Sequence, residues 1–245
     1  MNINLRIGCS GFYYKEWKEI FYPIGLPQRS WFEYYCQHFN TIEINSSFYK
    51  QPSLKSFSAW YDTSGPDFLF SIKAPRTITH YNKFKDASDL INDFYNVAND
   101  GLKEKLGCIL FQMPPSFVYT EAHLYLILES LKRNFNNVME FRHESWWRAD
   151  VFEALKQSGI SFSGVSHPSS LPDEIIDNNA IIYYRFHGRP ILFKSLYTLT
   201  EIKSFADRLP KLNKQAFIYF NNTWGTSALI NAGQLKNYIN NTTDT

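Results

Sequence analysis

The sequence predicts an α/β protein that forms a single (β/α)8 barrel of the TIM type. Three observations support this fold class. Short apolar segments recur eight times along the 245 residues, and amphipathic segments separate most of them. Strand and helix in alternation favour a parallel sheet that closes on itself, and such barrels need about 250 residues. No linker or low-complexity tract divides the chain, so we expect residues 1–245 to form one domain.

The eight apolar segments are the predicted strands. In chain order they cover residues 5–9, 41–45, 68–73, 107–112, 137–142, 160–165, 180–186 and 216–221. Segments of this length, bounded by turn residues, are typical of the buried strands of a parallel sheet.

The segments between the strands carry apolar residues at helical spacing. The sets that share one helical face are Trp31, Tyr35 and Phe39; Leu90, Ile91, Phe94 and Ala98; Leu124, Ile127, Leu128 and Leu131; and Ile202, Phe205 and Leu209. This spacing predicts amphipathic helices that cross over between strands.

Helix boundaries follow from the residues that flank these faces. We expect Asp86, Thr120 and Thr200 to be N-caps, since their short side chains can accept from free backbone N–H groups. Pro210 should end the helix that begins near Thr200. The sixth crossover, residues 166–179, contains two prolines and little periodicity, so we expect mostly loop there.

The composition argues against several classes of protein. Lys and Arg total 25 against 23 for Asp and Glu, and a net charge of +2 does not by itself predict a nucleic-acid or membrane partner. The N-terminus lacks the pattern of a signal peptide, and no apolar run is long enough to span a membrane. Three distant cysteines without CxxC spacing indicate neither a disulfide framework nor a zinc knuckle. We therefore expect a cytoplasmic protein.

Alternation along the strands predicts where the polar side chains point. Residues two apart share a face, and the polar face carries these pairs in strand order: Gly8 and Ser10, Glu43 and Asn45, Ser71 and Lys73, Leu110 and Gln112, Glu140 and Arg142, Ser161 and Ser163, Arg185 and His187, Tyr219 and Asn221. Neighbours such as Ile42, Ile72 and Phe186 are apolar and belong against the helices. In a closed barrel the polar face is the interior, and its C-terminal mouth is where barrel enzymes place their sites.

The predicted mouth has more cations than anions. Lys73, Arg142 and Arg185 stand against Glu43 and Glu140. Burying such charges without partners costs on the order of several kcal/mol, so they must pair with one another or with a ligand. An ion-pair network that only ties the strands together is the alternative. The surplus of cations, and the lack of an evident partner for Lys73, favour an anionic ligand.

Aromatic residues are concentrated in the loops that follow the strands. They are Phe12, Tyr13, Trp17, Phe48, Tyr49, Trp146, Trp147 and Trp224. Rings beside Arg and Lys suit a planar or cyclic anion, because rings stack on a base or sugar while guanidinium groups bind phosphate. We expect Trp17 and Trp147 to pack in the core.

Other sequence motifs limit the cofactors. The chain has no GxGxxG or GxxxxGK segment, so no nucleotide cofactor is predicted, and no GxSxG turn for a serine nucleophile. Four loop and strand histidines, His80, His143, His167 and His187, leave a divalent metal open, but no HxxxH pair or Asp-rich cluster accompanies them. Cys9 should face the helices and serve packing.

Seven separated motifs occur in a recognisable order: IGCSGFYYKEWKEIFYP, TIEINSSFYKQP, FSIKAPRTITH, LFQMPPSF, MEFRHESWW, YYRFHG and YFNNTWGTSALINA. Over almost the whole chain they resemble the YecE-like family, also known as domain of unknown function 72. The resemblance implies a TIM-type barrel, a bacterial or archaeal cytoplasmic protein and a family without an established activity. The family's defining residues correspond here to Gly8, Ser10, Glu43, Asn45, Tyr49, Lys73, Arg76, Gln112, Pro114, Glu140, Arg142, Trp146, Arg185, His187, Gly188 and Asn221.

The chain departs from the family pattern in two places. Cys9 stands where a small hydroxyl residue is common. Ser166 and His167 stand where an acidic residue is expected before Pro168.

The leading functional hypothesis is an enzyme that hydrolyses a phosphate ester, in particular a phosphodiester of nucleic acid, because a barrel mouth with rings and cations is broadly similar to that of barrel endonucleases. Lys73, Arg142 and Arg185 would then stabilise phosphoryl charge. Glu140 would be the general base or a metal ligand, His187 the general acid, and Glu43 would orient a cation or the attacking water. The predicted substrate contacts are completed by Ser10, Asn45, Tyr49, Arg76, Gln112, Trp146 and Asn221.

Two alternatives stay open. The first is a glycoside hydrolase with Glu43 and Glu140 as its carboxylate pair and Trp146 as a sugar platform. The second is a barrel that binds a phosphorylated metabolite or a nucleic acid without catalysis. The expected partner is therefore a small anionic substrate or single-stranded nucleic acid, not a membrane, and the sequence does not indicate the oligomeric state.

Overall fold

Eight parallel strands form one sheet in the computed structural model of the chain, which describes residues 4–209 and 214–243. The strands are β1 (Asn4–Cys9), β2 (Thr41–Ile44), β3 (Leu69–Lys73), β4 (Leu106–Gln112), β5 (Asn137–Glu140), β6 (Ser161–Ser166), β7 (Ile181–Phe186) and β8 (Gln215–Phe220). Each strand pairs with the next in the chain from β2 to β8, and β8 pairs with β1. The predicted TIM-type barrel is confirmed.

The barrel closes between β1 and β2. Ser10 and Glu43 form a parallel bridge at this seam. The two strands approach so closely that a Cβ atom at Gly8 would lie 2.4 Å from the carbonyl oxygen of Thr41. Only glycine fits at that position, so the sequence requirement at Gly8 follows from closure of the barrel.

Seven α-helices follow the strands within the described ranges. They are α1 (Trp31–His38), α2 (Leu54–Thr63), α3 (Ser88–Leu102), α4 (Glu121–Ser130), α5 (Ala149–Gln157), α6 (Leu199–Arg208) and α7 (Ser227–Thr243). Residues 167–180, between β6 and β7, contain no α-helix, which confirms the predicted loop at the sixth crossover. No helix in this part of the chain is both long and apolar enough to cross a membrane.

The helix starts agree only in part with the predicted caps. Thr120 caps α4 as expected, since its side chain accepts from the backbone N–H of His123. The cap of α6 is Thr198, not Thr200, because Thr198 forms a reciprocal capping box with Glu201. Asp86 is not a cap: it has a φ of 50°, and the helix is preceded by Ala87. Pro210 lies outside the described residues.

Two hydrophobic clusters fill the molecule. The larger one lies between the sheet and the helices and includes Cys9 and Trp17, both fully buried as predicted. Trp147 is half-buried and packs edge-on against Phe162 with ring centroids 4.8 Å apart. The smaller cluster fills the barrel interior and consists of Cys108, Leu110, Val138, Ile181, Tyr183, Phe217 and Tyr219. Charged residues appear only further along the same strands, toward their C-terminal ends, which places the candidate site at the mouth.

Candidate functional site

Arg185 lies at the centre of a charged network inside the barrel. It comes from β7, and only 1% of its surface is exposed. Nη2 donates to Oε1 of Glu43 and Nη1 donates to Oε2 of Glu140, each at 2.7 Å. Burial alone would lower the pKa of Arg185, but the two carboxylates raise it above its ordinary value. One guanidinium therefore connects β2, β5 and β7.

Both oxygens of the Glu43 carboxylate are occupied by protein donors. Oε1 accepts from Ser10 Oγ at 2.6 Å as well as from Arg185, and Oε2 accepts from the hydroxyl of Tyr183 at 2.7 Å. The side chain is fully buried. Glu43 is thus a fixed acceptor that holds Arg185 in place.

Glu140 is bound in a similar way by two arginines. Its Oε1 accepts from Arg142 Nε at 2.5 Å, and its Oε2 accepts from Arg185. Burial by itself would raise the pKa of Glu140, but the charges of Arg142 and Arg185 hold that pKa well below its usual range. The carboxylate is ionised at neutral pH, and its low basicity makes it a poor proton acceptor.

His187 is a neutral acceptor within this network. Its Nε2 lies 3.0 Å from Arg142 Nη2 and 3.4 Å from Arg185 Nη1, and guanidinium nitrogens can only donate. The side-chain nitrogen of Asn221 lies 3.0 Å from Nδ1, and Glu140 Oε2 lies 3.5 Å from Nε2. Burial, together with the charge of Arg142, lowers the pKa of His187 well below its ordinary value. The lowered pKa favours the neutral ring, and the role of His187 as general acid stays a prediction.

Lys73, at the end of β3, is the cation that the carboxylates do not neutralise. Its Nζ donates to Gln112 Oε1 at 2.8 Å and lies 4.1 Å from the centroid of the Phe48 ring. Within residues 4–209 and 214–243, Lys73 has no carboxylate at ion-pair distance. Burial, and then the charge of Arg185, lower the pKa of Lys73 to about 7.

Half-buried polar residues lie around this network. Burial and the nearby cations lower the pKa values of His80 and His167 to about 4, so both rings are neutral at neutral pH. The cations concerned are Lys73, Arg142 and Lys83 for His80, and Arg142 and Arg185 for His167. Asn45 is also half-buried, and its Oδ1 is a buried oxygen without a hydrogen-bond partner.

Arg76 and Tyr49 lie outside the network on the exposed rim. Tyr49 is 71% exposed, and the Arg76 guanidinium lies 5.8 Å from the centroid of its ring. Tyr81, 64% exposed, has its ring centroid 5.4 Å from the same guanidinium. These predicted contacts are therefore accessible, but they are not part of the buried charge cluster.

Trp146 is placed in the core, which corrects its predicted contact with substrate. The side chain is fully buried and stacks on Phe141, with ring centroids 4.0 Å apart, and on Phe117, at 5.5 Å. Its Nε1 donates to the backbone oxygen of Phe117 at 2.7 Å. The short 3-10 helix Glu144–Trp146 after β5 turns this ring back toward the barrel wall.

Two residues contact the charged network although the sequence analysis did not predict these contacts. Tyr183 donates to Glu43, and the alternation that identified Arg185 also places Tyr183, two residues earlier, on the interior face. Phe48 forms the apolar surface beneath the Lys73 ammonium. Its loop position gave no register from which that contact could be predicted.

The donor sets do not form an evident metal centre. Across the two described ranges, no group of three or more His, Cys, Asp or Glu side chains is arranged to hold a metal ion.

Comparison with known proteins identifies the family. The family model described as "Protein of unknown function DUF72" matches residues 6–245. The chain belongs to the DUF72 family. The predicted YecE-like resemblance is thereby confirmed.

Curated DUF72-type relatives are similar over much of the chain. UPF0759 protein YecE of Escherichia coli K12 is 29% identical over 179 residues, which cover 69% of this chain and 63% of YecE. The match therefore spans less than two thirds of the length of YecE. UPF0759 protein YunF of Bacillus subtilis is 24% identical over 250 residues, covering 87% of this chain and 88% of YunF.

Solved structures support the same fold. A DUF72 family protein (TM1631) from Thermotoga maritima has a TM-score of 0.88 at 29% identity, over 98% of this chain and 100% of that one. A DUF72 family protein (EF0366) from Enterococcus faecalis has a TM-score of 0.84 at 20% identity, over 96% and 95% of the two chains. The structure of SacUVDE has a TM-score of 0.61 at 8% identity, over the full length of both chains, and is similar in fold alone.

Proposed function

We propose that the mouth of this DUF72 barrel binds a phosphate ester and hydrolyses it, with Lys73 as the group that contacts the phosphate and transfers the proton. The observation that carries the proposal is the position of Lys73. It is a half-buried ammonium for which the described residues provide no carboxylate at ion-pair distance, beside a network in which the charges of Glu43 and Glu140 are already paired with arginines.

The charge balance favours an anionic ligand at this point. Arg142 and Arg185 neutralise the two carboxylates, so Lys73 adds a positive charge that has no protein counterion in the described structure. An anion near the amine would favour its protonated form and remove the cost of burying it alone. Arg142, with 11% of its side chain exposed, uses Nε and Nη2 within the network, which leaves Nη1 as a second donor to the ligand.

The proposed reaction uses one lysine proton in a closed cycle. Water attacks phosphorus, the bond from phosphorus to the leaving-group oxygen breaks, and that oxygen takes a proton from the Lys73 ammonium. The neutral amine then accepts the proton lost by the attacking water. A pKa of about 7 suits this exchange, because both forms of Lys73 are populated at neutral pH.

The remaining charged residues would position the reacting groups in this scheme. Glu43 and Glu140 accept hydrogen bonds from Arg185 with little capacity left to act as bases, so we assign them to holding the cations. The same occupancy argues against glycoside hydrolysis, which needs one carboxyl group free to donate a proton and one free to attack or to activate water.

A second candidate is a binder of phosphate esters that performs no chemistry. The observation in its favour is that the carboxylates and His187 are all engaged with arginines, which leaves Lys73 as the one titrating group we assign to the reaction. Binding without turnover would follow if Lys73 serves only as a counterion.

The decisive experiment compares binding and hydrolysis in the same variants. The wild-type protein, Lys73→Met and Lys73→Arg would be tested with bis(p-nitrophenyl) phosphate, with and without divalent metal ions, from acid to alkaline pH. Lys103→Met is the matched control, since Lys103 also lies over an aromatic ring, with its Nζ 4.9 Å from the centroid of Tyr61, but is exposed and remote from the mouth.

We expect kcat/KM to fall about tenfold per pH unit above the Lys73 pKa of about 7, because the proton donor is lost. Lys73→Met should lower hydrolysis by roughly 100-fold or more, and Lys73→Arg should restore binding but not turnover. Turnover equal to wild type in Lys73→Met would contradict the proposal. Tight binding without turnover by the wild-type protein would select the second candidate.

The proposed location of this activity is the cytoplasm. Cys9, Cys36 and Cys108 are all free, and Cys9 and Cys108 are buried in separate hydrophobic clusters. Free thiols are usual in a reducing compartment. Fractionation of cells that produce the full-length protein would test this location.

A further inference from the structure

Positive charge is concentrated in the loops and helix start that follow β2 and β3. Residues 45–61 and 73–85 contain no Asp or Glu, and their cations are Lys50, Lys55, Lys73, Arg76, Lys83 and Lys85. The whole chain has a net charge of only +2, so this part of the surface is far more basic than the average. Local concentration of this kind attracts an extended anion more than a small one.

Exposed aromatic rings lie within this basic surface. We use "the platform" for Tyr49, Arg76 and Tyr81, in which the guanidinium lies 5.8 Å from one ring centroid and 5.4 Å from the other. Tyr49 is 71% and Tyr81 64% exposed, so both rings keep most of their surface free. Flat side chains that alternate with a cation form the kind of surface on which nucleic-acid bases stack.

The platform is joined to Lys73 through a single side chain. The Phe48 ring lies 4.1 Å from Lys73 Nζ, and its centroid is 5.2 Å from that of Tyr49. Phe48 also contacts His80 edge-on, with ring centroids 4.9 Å apart, and His80 directly precedes Tyr81 in the chain. When the phosphate of a ligand contacts Lys73, the part of the ligand attached to that phosphate therefore lies next to the platform.

We propose that the platform stacks on the bases adjacent to the phosphate at Lys73, and that the ligand is a single-stranded nucleic acid. This inference rests on the proposed function in taking Lys73 as the phosphate site. A phosphorylated metabolite without a base could contact Lys73 and Nη1 of Arg142 but would leave the platform unused. In a duplex the bases are stacked on one another, so a single strand is the form that offers its base faces.

Binding of a fluorescent oligothymidylate about eight nucleotides long, measured by anisotropy, tests the platform. The same strand with abasic sites keeps the phosphates and loses the bases, so the ratio of the two affinities isolates stacking. Tyr49→Ala, Tyr81→Ala and the double variant would be compared with Tyr125→Ala. Tyr125 is a suitable control because it is a 66% exposed tyrosine on α4, away from the basic loops.

We expect each platform variant to lose roughly tenfold in affinity for the oligothymidylate, and the double variant to bring the affinity ratio close to one. Tyr125→Ala should behave as wild type, and affinity in all cases should fall steeply with salt. An unchanged ratio in the double variant would overturn the inference. Competition by a polyglutamate peptide as effective as that by the oligonucleotide would also overturn it, in favour of an acidic polypeptide.

Different measurements test the two proposals. Hydrolysis of bis(p-nitrophenyl) phosphate by the wild-type protein tests Lys73 with a substrate that has no base. The ratio of oligothymidylate to abasic affinity tests the platform without any turnover. Loss of one result with retention of the other identifies which proposal is wrong.

Discussion

Ser10 and Glu43 close the barrel and complete its charged network through one contact. They form the parallel bridge at the seam between β1 and β2, and Ser10 Oγ donates to Glu43 Oε1 at 2.6 Å. The same oxygen accepts from Arg185 Nη2 at 2.7 Å. One carboxylate oxygen therefore links the seam of the barrel to the central guanidinium, which Glu140 also holds.

Ser10→Ala should destabilise the protein more than the same substitution at a buried serine that donates only to a neutral group. The substitution removes a hydrogen bond to a fully buried carboxylate that is also paired with Arg185. We expect the free energy of unfolding to fall by about 1.5 to 3 kcal/mol, measured by urea denaturation.

Ser161→Ala provides the control for this experiment. Ser161 is also buried in the barrel, but its Oγ donates to the neutral backbone oxygen of Ile181 at 2.8 Å. Its loss should cost about 0.5 to 1.5 kcal/mol. An equal fall in the free energy of unfolding in the two serine variants would show that the bond to Glu43 stabilises the protein no more than a bond to a neutral group.

Most of the barrel and its charged interior could be predicted from the sequence because strand periodicity is rigid. A period of two places Glu43, Lys73 and Arg185 on the interior face once the strands are recognised. The apolar run around each of these residues identifies the strand itself. Agreement is therefore best where the side chain still belongs to the regular strand.

Prediction was weakest just beyond the strand ends and at the helix starts. Trp146 follows β5 by six residues, and the 3-10 turn that buries it depends on tertiary contacts with Phe117 and Phe141. Thr198 and Thr200 are equally good caps by residue type. The choice of Thr198 depends on the Glu201 side chain reaching back to it.

Trp146→Ala should act on stability. Removing a fully buried indole that stacks on two rings leaves a large cavity, so we expect the free energy of unfolding to fall by about 3 to 5 kcal/mol. Trp224→Ala is the control, because Trp224 is 63% exposed and contacts Lys194 at 4.5 Å, a cation–π contact for which a cost of about 1 kcal/mol or less is expected. Similar small losses in both variants, by chemical denaturation, would argue that Trp146 is not a core residue.

The half-buried amine of Lys73 should make the free energy of unfolding rise with pH between about 7 and 10.5. Burial and the charge of Arg185 lower its pKa from the ordinary 10.5 to about 7 in the folded protein. Between these two values the unfolded chain holds a proton that the folded protein has released, so raising the pH favours folding. The expected slope is up to about 1.4 kcal/mol per pH unit for one proton.

This slope can be isolated by subtracting the unfolding free energy of Lys73→Met from that of the wild type at several pH values between about 7 and about 9. Other titrating groups are shared by the two proteins and cancel. Lys73→Arg should lack the slope, because a guanidinium stays charged throughout this range. A wild-type difference that is flat or falls with pH would mean that folding does not lower the pKa of Lys73, and the proton exchange proposed for Lys73 near neutral pH would then fail.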